Sequence, residues 1–341
     1  MIAAKRIALI SILLLALCCF SMLMALKIGA IDLSWHTVIQ AIINFDPSVL
    51  QQRVVVELRL PRTLLAMSAG AGLAIAGLIL QTVTRNPLAD PYLFGISSGA
   101  SFGVVVLIAL FGAQSSLMMS GAAFVGSLLS ILLLLFVAKR NALQQVETML
   151  LAGVALSFLF SAFTSLLLYW SDPQAISAIL FWNLGSFARA SWQWLWLPCL
   201  VVLLSFITLL VMRRPLNALL LGDESATTLG VNVGRVRIGM LLLSSLLTAV
   251  LVAACGGVGF VGLMIPHIVR FFISQAKVIG LVATALCGSL LMLWVDVLSR
   301  TLIDNQELPV GVITAAIGSV FFLALLIFKN RRSGGVGVTH G

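Results

Sequence analysis

The stretch RLPRTLLAMSAGAGLAIAG, residues 59–77, places two arginines and a proline before a long run of small apolar residues. Proline suits the first position of a helix, because its missing amide hydrogen is not needed there. The apolar run continues to residue 84 and reaches the ~20 residues that a helix needs to cross a bilayer. The stretch therefore predicts a transmembrane helix over 62–84. Arg62 would lie in its first turn, where the helix dipole disfavours a cation by ~0.3–1 kcal/mol.

The composition of the whole chain extends this prediction to a polytopic membrane protein. The 341 residues are 61% hydrophobic and 9% charged, whereas soluble domains carry roughly 25% charged residues. Ten apolar segments are long enough to be considered as spans, over residues 7–28, 62–84, 92–112, 117–138, 149–169, 193–212, 238–256, 258–273, 279–299 and 309–328. We therefore predict an all-α fold of about ten transmembrane helices, in a single transmembrane domain over 1–341.

The division between the seventh and eighth segments depends on the glycine-rich stretch GGVGFVG, residues 256–262. One long helix through this stretch is the alternative. Three glycines within four residues favour a tight turn, and an even number of helices puts both chain ends on one side. The N-terminal apolar segment, 7–26, is longer than the ~7–15 residues of a secretory signal, so we expect it to be retained as a helix.

Loop charges predict the orientation of the chain. Membrane proteins carry an excess of Lys and Arg in their cytoplasmic loops. With the N-terminus inside, fourteen of the 20 lysines and arginines lie on the inner side and six on the outer side. Both termini are therefore predicted to be cytoplasmic, as is the loop 213–237, and the tail 330–341 is expected to be flexible. The net charge of +9 then belongs to these loops, and we expect no nucleic-acid partner.

The sequence lacks the motifs of common enzymes and of ion-coupled transporters. It contains no P-loop, HExxH or GxSxG motif, so no catalytic residues are assigned. Its five cysteines form no CxxC pair and its three histidines are scattered, so we expect no metal site and no cofactor in the chain. The helix centres are nearly free of the ionisable residues that couple ions in secondary transporters. Energy is therefore expected from a partner protein, and an ion-coupled secondary transporter is the remote alternative.

Small residues spaced by four predict close contacts between helices. Glycine and alanine at such positions let two helix backbones approach each other. The second segment has the pairs Gly70/Ala74 and Gly72/Ala76, and Gly99 and Gly103 crowd the third segment in the same way. We expect these residues to serve helix packing.

The loop 213–237 contains a short helix signal of its own. Asp223 suits an N-cap and Glu224 the first turn, while Gly230 suits the left-handed position that follows a helix. These residues predict a helix over 223–229, and 231–237 leads into the next one. Two interpretations are equally open, a rigid contact for a partner and an ordinary interfacial loop.

Seven blocks spread over most of the chain carry a resemblance to a known family. In order they are ELRLPRTL (57–64), SAGAGLAIAG (68–77), RNPLADPYLFGISSGASFG (85–103), LLAGVAL (150–156), LGDESATTLGV (221–231), GGVGFVGLMIPHIVR (256–270) and ELPVGVITAAIG (307–318). They resemble the membrane permeases of type II ATP-binding-cassette (ABC) importers, which take up iron–siderophore complexes, haem and cobalamin. Several blocks in one order are far more specific than a single motif.

The resemblance implies an assembly in the bacterial inner membrane. It implies ten helices per subunit, a homodimer around a central pathway, two cytoplasmic ATPase subunits that bind ATP and Mg²⁺, and a periplasmic binding protein. The chain itself would do no bond chemistry and would import its cargo by alternating access. A ferric siderophore is the first expectation for the cargo, and haem and cobalamin are the alternatives.

The resemblance also implies roles for particular residues. Coupling to the ATPase is implied for Gly222, Asp223, Glu224, Ser225, Ala226, Thr227, Leu229, Gly230 and Val231. Cytoplasmic gates are implied for Asn86, Pro87 and Leu88 and for Glu147, Thr148 and Met149, although by pattern alone each is a simple connecting turn. Docking of the binding protein through Arg–carboxylate pairs is implied for Arg59, Arg62 and Arg300. For a single arginine, a side chain that snorkels to the headgroups is the alternative.

Overall fold

The computed structural model of the chain describes residues 2–29, 31–113, 115–137, 146–274, 277–304 and 306–333. Within these ranges the protein is a bundle of helices with short connections. The helices are α1 (Ile2–Lys27), α2 (Trp35–Ile43), α3 (Leu50–Arg53), α4 (Leu60–Thr84), α5 (Ile96–Phe111), α6 (Ser116–Val137), α7 (Val146–Tyr169), α8 (Pro173–Asn183), α9 (Trp192–Val211), α10 (Arg213–Leu220), α11 (Asp223–Thr228), α12 (Val233–Cys255), α13 (Val261–Phe272), α14 (Val278–Thr301) and α15 (Val310–Ser333). Most of the predicted flexible tail, 334–341, lies outside the described residues.

Each of the ten predicted segments corresponds to an apolar helix, which confirms the all-α membrane fold. Eight helical runs among the described residues are long and apolar enough to cross a bilayer. The other two segments form α5, with 16 residues, and α13, with 12. At 1.5 Å per residue, α13 is about 18 Å long and spans only part of the ~30 Å hydrocarbon core.

The glycine-rich stretch separates two helices, as predicted. Helix α12 ends at Cys255 and α13 begins at Val261. Gly256 has φ 76° and ψ −158°, a backbone conformation that strongly favours glycine. Phe260 also has a positive φ, of 69°. The chain therefore turns sharply between the two helices.

The start of α4 differs from the prediction. Helix α3 continues through a π-helical segment, Val54–Arg59, directly into α4, so Pro61 lies inside a continuous helical run. The amide of Leu60 donates to the carbonyl of Val55, which is the wider i→i−5 pattern of a π-helix. This wider turn accommodates a proline that would otherwise clash with the carbonyl one turn earlier. The prediction that Arg62 lies in a first helical turn is therefore wrong, and the dipole penalty does not apply to it.

Helix α4 forms the centre of the bundle. It packs against α14, α12, α13 and α9 and is buried along most of its length. A Cβ atom added at Gly70 would overlap the carbonyl oxygen of Gly288, and one added at Gly77 would overlap that of Gly262. The backbone of α4 therefore touches the backbones of α14 and α13 directly.

The other small residues of the prediction also lie at helix contacts. A Cβ added at Gly72 would lie 2.5 Å from Cδ1 of Leu251, and one at Gly99 would lie 2.5 Å from the carbonyl oxygen of Gly126. One added at Gly103 would overlap the carbonyl oxygen of Ala122. Ala74 faces Gly288, and the carbonyl of Ala76 accepts a hydrogen bond of 3.0 Å from the Ser244 hydroxyl.

Candidate functional site

One recess is lined by all three arginines that the sequence analysis assigned to docking. It lies at the end of the bundle where the α3–α4 run begins and α14 ends. The recess has a volume of about 1200 Å³ and is also lined by Asp32, Asp304 and Glu307. We call this end of the molecule the Arg62 end. The arginine residues themselves are mostly buried: Arg59 is 6% exposed, and Arg62 and Arg300 are each 8% exposed.

Arg62 is held by two carboxylates from distant parts of the chain. Its Nε donates to Oδ1 of Asp296 at 2.7 Å, and its Nη1 donates to Oε1 of Glu307 at 2.7 Å. Its Nη2 donates to the Ser299 hydroxyl at 3.3 Å. The two carboxylates differ in exposure, because the Asp296 side chain is 1% exposed and the Glu307 side chain 49%.

Arg300 and Arg59 are also bound within the fold. Nη2 of Arg300 lies 3.2 Å from Oδ2 of Asp296, so this one carboxylate serves two guanidinium groups. Arg59 donates to the carbonyls of Leu26 and Lys27, at 2.9 and 2.7 Å, and to that of Ile31. The first two carbonyls lie at the C-terminal end of α1, where a cation is favoured by the helix dipole.

Asp296 and Glu307 are residues that the sequence analysis did not assign to the site. Asp296 and Arg300 are four residues apart on α14, so they share a helix face. An acidic residue within a membrane helix also signals a paired or functional group. These two sequence features could have predicted the pairing of Asp296 with Arg300. They do not identify Arg62 as the third member of the cluster.

A second ionic cluster lies at the opposite end of α4, which we call the Asp223 end. Oδ1 of Asp223 accepts from Nη2 of Arg85 at 2.7 Å and from Nη2 of Arg237 at 3.0 Å. Arg85 caps the C-terminus of α4, Asp223 opens α11 and Arg237 lies near the start of α12. The cluster therefore joins three elements.

Helix α11 has the predicted position but a different N-terminal cap. Gly222, with φ 110°, is the N-cap, and Asp223 is the first helical residue. The Asp223 carboxylate binds the two arginines instead, so the prediction that it caps the helix is wrong. Gly230 has the predicted left-handed conformation, with φ 79°, and the Val231 amide donates to the Ala226 carbonyl at 3.0 Å.

The residues predicted for ATPase coupling present an exposed surface. Ala226 is buried and anchors α11 to the bundle. The side that faces away from the bundle carries Glu224, Ser225, Thr227, Leu229 and Gly230, all of them exposed. A helix that is fixed on one side and open on the other is suited to hold a second protein.

The first predicted gate segment is a compact turn that follows α4. The Leu88 amide donates to Oδ1 of Asn86 at 2.9 Å, and the Ala89 amide donates to the Asn86 carbonyl at 3.1 Å. Pro87 lies within this turn, and Leu88 is 56% exposed. Asp90 then accepts from the Tyr92 amide at 2.8 Å, and burial raises the pKa of its carboxyl to about 6.

The second predicted gate segment lies at the start of α7. Met149 is buried and Thr148 belongs to the same helix, whereas the side chain of Glu147 lies outside the described residues. A Cβ added at Gly153 would overlap the carbonyl oxygen of Leu93. Helix α7 therefore packs directly on the short 3₁₀ helix Pro91–Phe94, which follows the first gate segment.

Across the described ranges, no group of three or more His, Cys, Asp or Glu side chains is arranged to hold a metal ion. Asp296 and Glu307, which lie beside the arginines, are engaged with guanidinium groups. What the two clusters can do is bind and position charged groups at the two ends of α4.

Comparison with known proteins identifies the family. The model of the FecCD transport family matches residues 13–328. The hemin transport system permease protein HmuU of Yersinia pestis is 38% identical, over 91% of this chain and 92% of its own length. The vitamin B12 import system permease protein BtuC of Vibrio cholerae is 38% identical, over 84% of this chain and 86% of its own length.

A solved structure has the same fold. It is described as an inward-facing conformation of a metal-chelate type ABC transporter, and it matches with a TM-score of 0.82 and 35% identity over 94% of this chain and 99% of that chain. Permeases of this kind act with an ATPase and a binding protein. The chain thus belongs to the FecCD transport family and is a multi-pass permease subunit of an ABC importer in the inner membrane.

Proposed function

We propose that this permease imports an iron chelate, with a ferric siderophore as the first expectation, from the periplasm into the cytoplasm by alternating access. The observation that carries the proposal is the family match over 13–328, which reaches every membrane helix from α1 to α15. Haem and cobalamin are the alternative cargoes. Relatives named for hemin and for vitamin B12 are equally similar to this chain, at 38% identity. Sequence identity therefore does not favour haem over cobalamin as the alternative cargo.

The proposal assigns the two ends of the bundle to the two sides of the membrane. Both termini and the Asp223 end face the cytoplasm, in agreement with the distribution of Lys and Arg between the loops. The exposed side of α11 binds one of two ATPase subunits, which hold ATP and Mg²⁺. The turn 86–88 and the start of α7 form the cytoplasmic gates.

A second copy of the chain completes the pathway in this proposal. Helices α7 and α15 expose large apolar side chains, among them Leu151 and Phe158 at 71% and 73% and Val320 at 67%. Such faces suit a bilayer or another protein. We assign them to the dimer because α7 begins at a proposed gate, and a gate is useful only beside the path that it closes.

Reconstituted transport tests the function. The permease, its ATPase and its binding protein in proteoliposomes should accumulate ferric siderophore, haem or cobalamin, each offered separately. Replacing the Walker lysine of the ATPase with alanine should reduce uptake to the level of empty liposomes, because hydrolysis drives the gates. Uptake that survives this change and instead follows a proton or sodium gradient would establish the ion-coupled alternative.

The Arg62 end is proposed to face the periplasm and to dock the binding protein. Arg59, Arg62 and Arg300 line a recess large enough to admit protruding side chains of a partner. Their guanidinium groups are already engaged, however, so a partner carboxylate can reach Arg62 only by replacing one of its present partners. Glu307 is the replaceable partner, since half of its side chain is exposed while Asp296 is buried.

Glu307→Gln is therefore expected to strengthen capture of the binding protein. The change removes the competing carboxylate from Arg62 and leaves the buried Asp296 contact in place. A partly exposed ion pair contributes ~0.2–1 kcal/mol, so dissociation of the binding protein should slow by about 1.4- to fivefold. Binding kinetics on nanodisc-embedded complex, measured at several salt concentrations, provide the readout.

Glu57→Gln is the matched control for this experiment. Glu57 is also half-exposed, pairs with Arg53 at 3.2 Å and belongs to the same helical run as Arg62. Its replacement changes the net charge equally without touching the predicted docking arginines. Equal effects of the two variants would mean that only net charge matters, and docking at Arg62 would then be wrong.

A further inference from the structure

The ionic cluster at the Asp223 end connects the proposed ATPase contact with a proposed gate. Nη2 of Arg85 donates to Oδ1 of Asp223 at 2.7 Å. Arg85 is the residue immediately before the turn 86–88, and Asp223 is the first residue of α11. The two residues are 138 positions apart in the sequence, so this contact is made by the tertiary fold and not by local chain geometry.

The backbone of Arg85 is specialised for this contact. It is the C-cap of α4 and has a left-handed conformation, with φ 53° and ψ 26°. A residue with a Cβ atom is disfavoured there, and glycine or asparagine is the usual choice. An arginine at this position costs backbone energy that an ordinary helix end would avoid, which indicates that its side chain is needed.

The turn 86–88 is attached firmly to Arg85. The Asn86 amide donates to the Thr84 hydroxyl at 3.3 Å, and the Thr84 hydroxyl in turn donates to the Leu80 carbonyl at 2.8 Å. The Asn86 side chain then holds the Leu88 amide. A displacement of Arg85 is therefore expected to move the turn as a unit.

The two contacts of Asp223 differ in burial. The Arg237 side chain is 3% exposed, so its contact fixes Asp223 to α12. The Arg85 and Asp223 side chains are 42% and 44% exposed. An ion pair with this exposure is weak and exchanges readily with water, so it can break and form again within a transport cycle.

We propose that Arg85 is a positioning residue that transmits the movement of α11 to the gate turn 86–88 through its ion pair with Asp223. The proposal rests on the proposed function, because it takes α11 as the contact with the ATPase. It adds the physical connection by which a movement of α11 reaches the gate. Glu224, beside Asp223, is exposed and stays available to the ATPase.

The test measures transport and ATP hydrolysis on the same reconstituted complex, with whichever chelate the wild-type complex accumulates. Arg85→Gln removes the charge but keeps a long polar side chain, whereas Arg85→Lys restores the charge. Arg85→Gln is expected to retain its ATPase subunits and to hydrolyse ATP, while the number of molecules transported per ATP falls by roughly 2- to 30-fold, the range for residues that couple two sites. Arg85→Lys should recover part of that loss.

A double-mutant comparison and a matched control complete the design. Asp223→Asn and Arg85→Gln together should be no worse than the more damaging single change, because residues that act through one contact are not additive. Arg53→Gln removes an arginine from the Arg53–Glu57 pair, which is similarly exposed, at 50% and 46%, and should leave transport per ATP unchanged.

Two results would overturn the proposal. One is an Arg85→Gln complex with wild-type transport per ATP. The other is a complex that loses its ATPase subunits, which would make Arg85 an assembly residue. Failure of the proposed function is distinguishable from both, because it would appear in the unmodified protein as uptake that does not depend on the Walker lysine.

Discussion

Asp296→Ala is expected to destabilise the fold so strongly that most of the protein is no longer recovered in folded form. The change leaves the guanidinium groups of Arg62 and Arg300 without the buried carboxylate that lies between them, and both residues are only 8% exposed. Breaking a buried ion pair by removing one partner costs about 3–5 kcal/mol, because the remaining charge is uncompensated. Here Arg300 loses its carboxylate partner, and Arg62 keeps only the half-exposed Glu307. Thermal unfolding in detergent and the yield of monodisperse protein are the measurements.

Two further variants serve as controls for that result. Asp304→Ala removes an exposed carboxylate that lines the same recess and should change the free energy of unfolding by less than about 0.5 kcal/mol. Asp296→Asn keeps hydrogen-bonding atoms without the charge and should give an intermediate loss. If Asp296→Ala and Asp304→Ala unfold at the same temperature, the buried cluster does not stabilise the bundle.

Gly77→Ala is expected to destabilise the protein although it adds a single methyl group. The new Cβ would overlap the carbonyl oxygen, the carbonyl carbon and the Cα of Gly262. Since these are backbone atoms, α4 and α13 would have to separate, and overpacking of this kind costs about 1–3 kcal/mol or more. The separation would also disturb the hydrogen bond of 3.1 Å that the Gln81 side chain donates to the Gly262 carbonyl. A lower unfolding temperature in detergent would be the observed effect.

Gly239→Ala is the control for the glycine experiment. Gly239 also lies within a membrane helix, α12, but a Cβ added there meets no atom within 4 Å. Replacing a helical glycine by alanine where there is free space raises the free energy of unfolding by about 0.4–1 kcal/mol. The main reason is that the unfolded chain becomes less flexible. The two variants should therefore change stability in opposite directions. A stabilised Gly77→Ala protein would show that the contact between α4 and α13 is looser than described.

The membrane helices could be located from the sequence because hydropathy is a local property. Each long run of apolar residues indicates a membrane helix by its own composition, whichever helix lies beside it. The glycines at 256–259 likewise mark a turn by their own conformational freedom. Helix α8, over Pro173–Asn183, was missed, since it is only 11 residues long and lies in a stretch that contains a proline and several polar residues. The early start of α4 was missed because a π-helical turn, which accommodates Pro61, has no simple sequence pattern.

The partners of the arginines could not be predicted, because charge pairing is not local. Arg62 meets Asp296 and Glu307 at separations of 234 and 245 residues. Counting Lys and Arg in the loops treats every cation alike and does not indicate which acid faces it. The same reason explains the error at Asp223. Its local pattern is typical of a helix cap, but the fold brings two arginines to its carboxylate, which binds them in place of a neighbouring amide.

The central position of α4 limits the route by which a solute could pass the bundle. Within the described residues, the axis of the bundle is filled by the backbone and side chains of this helix, and glycine contacts bring α14 and α13 against it. In the part of the chain that the structure describes, this helix leaves no channel along that axis. If the cargo is a metal chelate, as proposed, its path runs along the flank of the bundle, where one chain supplies one wall. The proposed second copy would supply the other wall.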